Sequence, residues 1–354
     1  MSATERSGRL RVFIANRIDE ALCAVMTELE PRIDLLWEPD LLRPRRRMGD
    51  HHGDPDFTRS PAQQSRFETL VSRADVFFGV PDESASTLRR AVDANPSLRW
   101  VHTMAAGGGS QIKAAGLSPV QLESIVFTTS AGVHADQLAE FALLGVLAGA
   151  KDLPRLLSAK ARREWEPRWP MGAVRGRTAI VVGLGNIGKM FARKASALGM
   201  RVVGVHRSAT EVPGVTTVVP PAKLRDVLPG ADAVVVALPG TDATFHSIGR
   251  AEFAAMRDGA TFVNVGRGAV VDESALVEAL EEGRIGFAAL DVFETEPLSS
   301  ESALWSMTNV ILSPHTAALD PQEDRRIVEL FAGNATRLLD GDPLVNRVNT
   351  VDFY

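Results

Sequence analysis

The chain has 354 residues, long enough for two cores, and its make-up of 45% apolar and 23% charged residues is that of an ordinary globular protein. A net charge of −5 excludes the general basic field that holds nucleic acid or an anionic membrane, so an anionic ligand needs a local cation. The single cysteine, Cys23, allows no internal disulfide, which fits a reducing cytoplasm.

In chain order, MSATERSGRL lacks the apolar core of a signal peptide, and the first strand is expected at Leu10 to Ala15. A helix follows around Asp19 to Glu30. Residues 39–65 are rich in Pro, Gly, His and charge, including Arg43-Pro-Arg-Arg-Arg47 and His51-His52, and read as a long, solvated surface loop. No third ligand clusters with the two histidines, so no metal is expected there. Strand signals return at Val76 to Val80 and Leu98 to His102, before a glycine cluster at Ala105 to Gly109. The longest apolar run, Leu138 to Ala150, contains Glu140 and is too short to span a bilayer; it reads as a buried helix beginning near His134. A Trp- and Arg-rich connection covers 161–176.

Beyond it, apolar runs alternate with helical stretches: Thr178 to Val182, Arg201 to Val205, Ala233 to Ala237, Thr261 to Val265, Phe287 to Asp291 and Val310 to Leu312. Several are apolar throughout, as parallel strands covered on both faces require, and the rhythm implies βαβ units in a doubly wound sheet. A last amphipathic helix is expected from Gln322 to Leu339.

Gly183-Leu-Gly-Asn-Ile-Gly188 follows the first of these runs and opens a helix. In that context Gly183 permits a tight turn, Gly185 lets a pyrophosphate approach the backbone, and Gly188 lets helix and strand pack closely. The helix N-terminus adds free amides, with Asn186 and Ile187 in its first turn. At the end of the second strand an NAD site usually carries an acid; this chain reads His206-Arg207-Ser208. Arg207 and Ser208 suit a 2′-phosphate, so NADP(H) is expected ahead of NAD(H), which stays possible.

Polar residues collect at three further strand ends: Arg267, Asp291 with Glu296, and His315. Ligands of open parallel sheets bind at such ends. An arginine can hold a carboxylate and polarise a neighbouring ketone, and a histidine can donate a proton near neutrality. A carboxylate beside that histidine favours the imidazolium. Glu296 is the candidate, provided the fold brings it to His315.

The segments Gly183 to Gly188, Asn264 to Asp272, Asp291 to Pro297 and Ser313 to Thr316 together resemble the D-isomer-specific 2-hydroxyacid dehydrogenases, across about residues 76–345. The resemblance implies Arg267, Glu296 and His315 as the catalytic set and Asp291 as a contact to the nicotinamide carboxamide. It implies that Leu238 and Pro239 line the adenosine side, with Val265 also at the cofactor. It implies substrate binding by backbone amides of Ala105, Ala106 and Gly107, and by Arg267.

The implied fold is α/β. A Rossmann-like doubly wound domain, 110–316, is inserted into a smaller flavodoxin-like substrate domain made of 1–109 and 317–354. Members close around the substrate, and most are homodimers. The chain departs from the pattern at Gly109, where an aspartate is common, and at His206. The implied activity is hydride transfer between NAD(P)H and a small 2-oxo acid, with glyoxylate or hydroxypyruvate the first substrates to test. The alternatives are phosphoglycerate dehydrogenase, which needs further phosphate-binding cations, and a non-catalytic NAD(P)-sensing, corepressor-like binding protein.

Overall fold

The structure is a computed structural model that describes residues 8–208, 211–351 and 353. The chain divides into two compact units, Met1–Val133 with Leu319–Tyr354, and His134–Ala318.

The first unit holds a five-stranded parallel sheet: β1 (Leu10–Ile14), β2 (Ile33–Leu36), β3 (Val76–Phe78), β4 (Trp100–Thr103) and β5 (Val126–Thr129). Its order, β2-β1-β3-β4-β5, is the flavodoxin-like arrangement. The helix Glu323–Asp340 returns the C-terminal segment to this core. Its buried Ile327, Val328, Phe331 and Ala335 recur at helical spacing and so share one face. Phe331 stacks on Trp100 at 4.5 Å and meets Phe78 edge-on at 4.9 Å. Such aromatic pairs add about 0.5–1.5 kcal/mol each beyond area burial.

Two expectations are corrected here. The sequence reading ended the first segment at residue 109 and resumed it at 317. The observed breaks fall after Val133 and Ala318. Residues 110–133 belong to the first unit because β5 pairs with β4 along Trp100 to Thr103.

The 39–65 segment is no solvated excursion either. Leu41 and Leu42 are buried, and the chain re-enters a helix at Pro61–Arg73, where Ser60 and Gln63 form a capping box. Arg59 is 8% exposed, bonds Asp82 at 2.6 Å and lies 3.7 Å over the Phe67 ring. Arg46 holds the buried Asp50, Arg45 pairs with Asp324, and His51 reaches Glu323 at 3.3 Å. Its cations are used to fasten it. Among the described residues no group of His, Cys, Asp and Glu is arranged to hold a metal ion.

The second unit holds a seven-stranded parallel sheet: β6 (Thr178–Val182), β7 (Arg201–Val205), β8 (Thr217–Val219), β9 (Ala233–Val236), β10 (Ala260–Asn264), β11 (Ile285–Leu290) and β12 (Val310–Leu312). The order β12-β11-β10-β9-β6-β7-β8 is doubly wound, and strand order reverses between β6 and β9. β6, β9 and β10 are buried at every position, as parallel strands covered on both faces require. The run Leu138 to Ala150 forms all but the first three residues of the helix Ala135–Ala150. Among the described residues no helix is long and apolar enough to cross a membrane.

One buried network in the first unit sets a pH dependence. His102 is wholly buried. Thr128 Oγ1 takes the Trp100 indole N–H at 2.7 Å and lies 2.8 Å from His102 Nδ1. His102 Nε2 faces Ser130 Oγ at 3.1 Å, and that hydroxyl donates to the Thr103 carbonyl. One neutral tautomer satisfies every group in the chain of bonds, and a second ring proton would leave the Thr128 hydroxyl without an acceptor.

Burial pushes the imidazole down to about 3. The unfolded chain therefore binds a proton below about pH 6.5 that the folded chain refuses until about pH 3. This stability is complete above 6.5 and is lost as pH falls through that window. The group contributes a slope of up to about 1.4 kcal/mol per pH unit. His102→Gln is expected to be less stable at pH 7 but to show a flatter loss between pH 7 and 4. Denaturant titrations read both, and equal slopes in the two proteins reject the assignment.

Candidate active site

β6 runs directly into the glycine turn, and the helix Asn186–Ala197 leaves it. Gly183 has φ 104°, and a Cβ there would lie 2.8 Å from the Ala237 carbonyl oxygen. At Gly188 a Cβ would fall 1.9 Å from the Gly183 carbonyl oxygen, so only hydrogen fits where helix and turn pack. Gly185 differs: it is exposed, and a Cβ would meet nothing within 4 Å. The space above it is open to a ligand, and the amides of the helix's first turn have no intrahelical partner. Asn186 is exposed and Ile187 half-buried at this terminus. These residues fit a dinucleotide pyrophosphate.

At the end of β7, His206 is half-buried, and Arg207 and Ser208 are exposed. The Ser208 amide lies 3.2 Å from His206 Nδ1, which folds the chain into a tight local turn. On the other side of the glycine turn Leu238 is half-buried and Pro239 exposed. Val265 is 2% exposed and belongs to the core, so any cofactor contact there falls to its backbone.

The three polar strand ends meet on one concavity of this unit, lined among others by Gly240, Phe245, Arg267, Phe293, Glu296 and His315. Arg267 leaves β10 through a turn clamped by the buried Asn264. Its Oδ1 accepts the Gly266 amide at 3.0 Å, and its Nδ2 donates to the Arg267 carbonyl at 3.2 Å. The guanidinium is exposed and donates to the Gly266 carbonyl at 2.8 Å. At Gly268 a Cβ would overlap the Phe293 carbonyl oxygen at 1.8 Å, so the Arg267 loop lies flush on the stretch that carries Glu296.

Asp291 follows β11 and is fully buried. Its Oδ1 accepts the Ser313 hydroxyl at 2.7 Å and the amides of Thr316 and Ala317 at 3.0 Å each. Its Oδ2 is buried with no partner among the described residues, an acceptor available to an amide donor. This also fits the implied nicotinamide carboxamide. The turn it organises holds His315 at φ 53°, a left-handed backbone that costs a non-glycine residue on the order of 1 kcal/mol. His315 Nδ1 lies 2.8 Å from Glu296 Oε2, and Glu296 Oε1 accepts the Phe293 amide at 3.1 Å. The contact that sequence alone left conditional is present. With Nδ1 engaged, Nε2 is the ring nitrogen left for chemistry.

The first unit's candidate loop is built independently. Ala105, Ala106 and Gly107 are exposed, and their amides have no acceptor among the described residues. Gly108 is buried against Thr103, whose hydroxyl donates to the Ala105 carbonyl at 3.1 Å. Two residues of the second unit went unread in the sequence: Glu294, which lines the concavity, and His246, which bonds it at 2.9 Å. Glu294 lies inside the Asp291 to Pro297 segment and His246 in none of the motif segments; the pair spans 48 positions, so nothing local marks the contact.

The glycine geometry separates a binding role from a packing role. Gly188→Ala is expected to cost about 1–3 kcal/mol of stability by overpacking. Gly185→Ala is expected to leave the melting temperature unchanged while weakening nucleotide binding about tenfold or more. Thermal melts with nucleotide titration read the pair, and a Gly185→Ala protein that binds normally removes the pyrophosphate from that position.

Residues 143–317 match the family described as D-isomer specific 2-hydroxyacid dehydrogenase, NAD binding domain. A glyoxylate reductase of Aeropyrum pernix is 33% identical over 308 residues, 81% of this chain and 87% of that protein. A D-3-phosphoglycerate dehydrogenase of Archaeoglobus fulgidus is 30% identical over 306 residues, 83% of this chain; the match spans only 56% of that longer protein. Among solved structures, a D-isomer specific 2-hydroxyacid dehydrogenase from Xanthobacter autotrophicus in complex with NADPH and MES has a TM-score of 0.76 and 27% identity, covering 98% of this chain and 100% of that one. The two parallel α/β sheets, the glycine turn and these similarities agree: the chain belongs to the D-isomer specific 2-hydroxyacid dehydrogenase family.

Proposed function

We propose that this chain is an NADPH-preferring reductase of a small 2-oxo acid, glyoxylate or hydroxypyruvate, and that Arg267, Glu296 and His315 carry the reaction. The observation behind this reading is the 2.8 Å Glu296–His315 contact on the concavity that Arg267 also lines. The nicotinamide, when bound, supplies the hydride to the carbonyl carbon. Arg267 holds the substrate carboxylate and draws electron density onto the ketone oxygen through its fixed fork of donors. His315 Nε2 gives its proton to the oxygen as the carbonyl π-bond pair moves there, leaving a C–OH group and a neutral imidazole. Glu296 accepts from Nδ1 and stabilises the imidazolium before the transfer. Asp291 Oδ2 accepts from the carboxamide, and the amides of Ala105, Ala106 and Gly107 contribute to carboxylate binding.

Arg207 and Ser208 support the NADPH preference, since no carboxylate stands at the end of β7 to repel a 2′-phosphate. A phosphorylated substrate is the second reading, favoured by the phosphoglycerate dehydrogenase similarity. Against it, Arg267 is the one Lys or Arg lining the second unit's concavity, alongside Asp242, Glu294 and Glu296. Among the described residues that lining offers no second Lys or Arg for a phosphate, and His315 is taken up by Glu296.

A homodimer belongs to the same reading. Leu144, Leu156, Leu157, Trp165 and Met171 concentrate exposed apolar surface in one stretch of the second unit, and Trp165 is 100% exposed. Light scattering is expected to give twice the 38.1 kDa chain mass, and a monomer refutes the dimer. A cytoplasmic location completes the reading, in line with the lone, buried Cys23.

Initial rates with both nucleotides against glyoxylate, hydroxypyruvate, 3-phosphohydroxypyruvate and longer 2-oxo acids test the proposal. His315→Ala is expected to lower kcat about 10²–10⁴-fold, while Arg207→Ala weakens NADPH much more than NADH. An unchanged rate in the first variant removes His315 from the mechanism, and equal weakening in the second removes the phosphate role. Tight nucleotide binding with no acid turned over would favour a nucleotide sensor instead.

A further inference from the structure

Glu294 lies two residues before Glu296, and its carboxylate joins two other elements. Its Oε1 meets His246 Nε2 at 2.9 Å. Its Oε2 accepts the Glu273 amide at 3.3 Å, at the first residue of the helix Glu273–Glu281, and Glu273 in return accepts the Glu294 amide at 3.0 Å. His246 is itself fastened to the Arg267 loop, its amide donating to the Ala269 carbonyl at 2.9 Å. Its backbone is left-handed, φ 47°, and its ring stacks on Phe245 at 4.0 Å. Phe245 and Glu294 both line the concavity. The stretch that presents Glu296 is therefore fixed from outside at Glu294, on one side by a helix N-terminus and on the other by the histidine bound to the Arg267 loop.

We propose that His246 and Glu294 are positioning residues: their bond braces the 293–296 stretch so that Glu296 meets His315 in the geometry needed for proton transfer. Both side chains are about one-third exposed, 33% and 35%, so the pair contributes little to global stability. Orientation is where it acts, and small misplacement of a supporting carboxylate costs rate rather than binding. The inference rests on the proton-transfer role given to Glu296 and His315.

The test uses the full chain saturated with nucleotide and the best-turned-over 2-oxo acid. Glu294→Ala and His246→Ala are each expected to lower kcat about tenfold, with melting temperature and nucleotide Kd unchanged. Glu294→Gln keeps both contacts, its carbonyl oxygen on the Glu273 amide and its amino group on the neutral imidazole, and is expected to recover most of kcat. Adding Glu294→Ala to Glu296→Gln is expected to cost no more than about twofold further, because nothing remains to position. Fully multiplying losses, unchanged kcat in Glu294→Ala, or a fall in melting temperature without a fall in kcat each overturn the brace. If Glu296→Gln alone leaves kcat intact, the proton-transfer reading fails first and takes the brace with it. If Glu296→Gln is impaired and Glu294→Ala is not, only the brace fails.

Discussion

A single buried carboxylate organises two strand ends of the second unit. Asp291 stands where β11 ends, and three donors converge on its Oδ1 from the segment after β12. Its backbone carbonyl takes a fourth, the His315 amide at 2.9 Å. The left-handed backbone of His315 is thereby held by more bonds than its strain can break. β11 pairs with both β10 and β12, and after a register shift at Ala260/Thr261 the pairing runs regularly to Asn264–Leu290 and Leu290–Leu312, which sets the strand ends from which Arg267, Glu296 and His315 arise. A site built on rigid strand ends holds its geometry better than one built on free loops.

Where loops do carry the side chains, missing Cβ atoms set the spacing. The Arg267 loop and the Glu296 stretch touch backbone to backbone at Gly268 and Phe293, a distance any other residue would force apart. The nucleotide turn uses the same device at Gly188. These are close-approach positions, distinct from Gly185, where protein packing demands nothing and the open space points to a ligand.

This difference also explains how much the sequence could reveal. Central strands such as β6, β9 and β10 are mostly apolar, buried runs and could be read directly. The three unread strands, β2, β5 and β8, are all sheet edges. They are three or four residues long, and β2 and β8 are half-exposed, so no continuous apolar run announces them. Missing β5 is what moved the expected boundary to residue 109. The 39–65 segment was misread for a related reason: its composition is that of a solvated loop, but its arginines find Asp82 and Asp324 far along the chain. Motif residues were legible because their spacing is local. Asn264 and Glu294 lie inside the motif segments, yet their contacts, like that of His246, rest on a turn or a distant partner that only the fold assembles.

Charge pairing around the concavity follows the same logic and bears on how Arg267 works. Three carboxylates line the concavity with one guanidinium, an unfavourable field for an incoming anion. Two of those carboxylates are committed elsewhere, Glu296 to His315 and the Phe293 amide, Glu294 to His246 and the Glu273 amide. Arg267 bonds the Gly266 carbonyl, and no carboxylate among the described residues pairs with it. A carboxylate released within reach of that guanidinium would compete with any incoming anion for its fork of donors. Holding Glu296 and Glu294 in other bonds keeps both from neutralising Arg267, the cation to which the proposed function gives substrate binding.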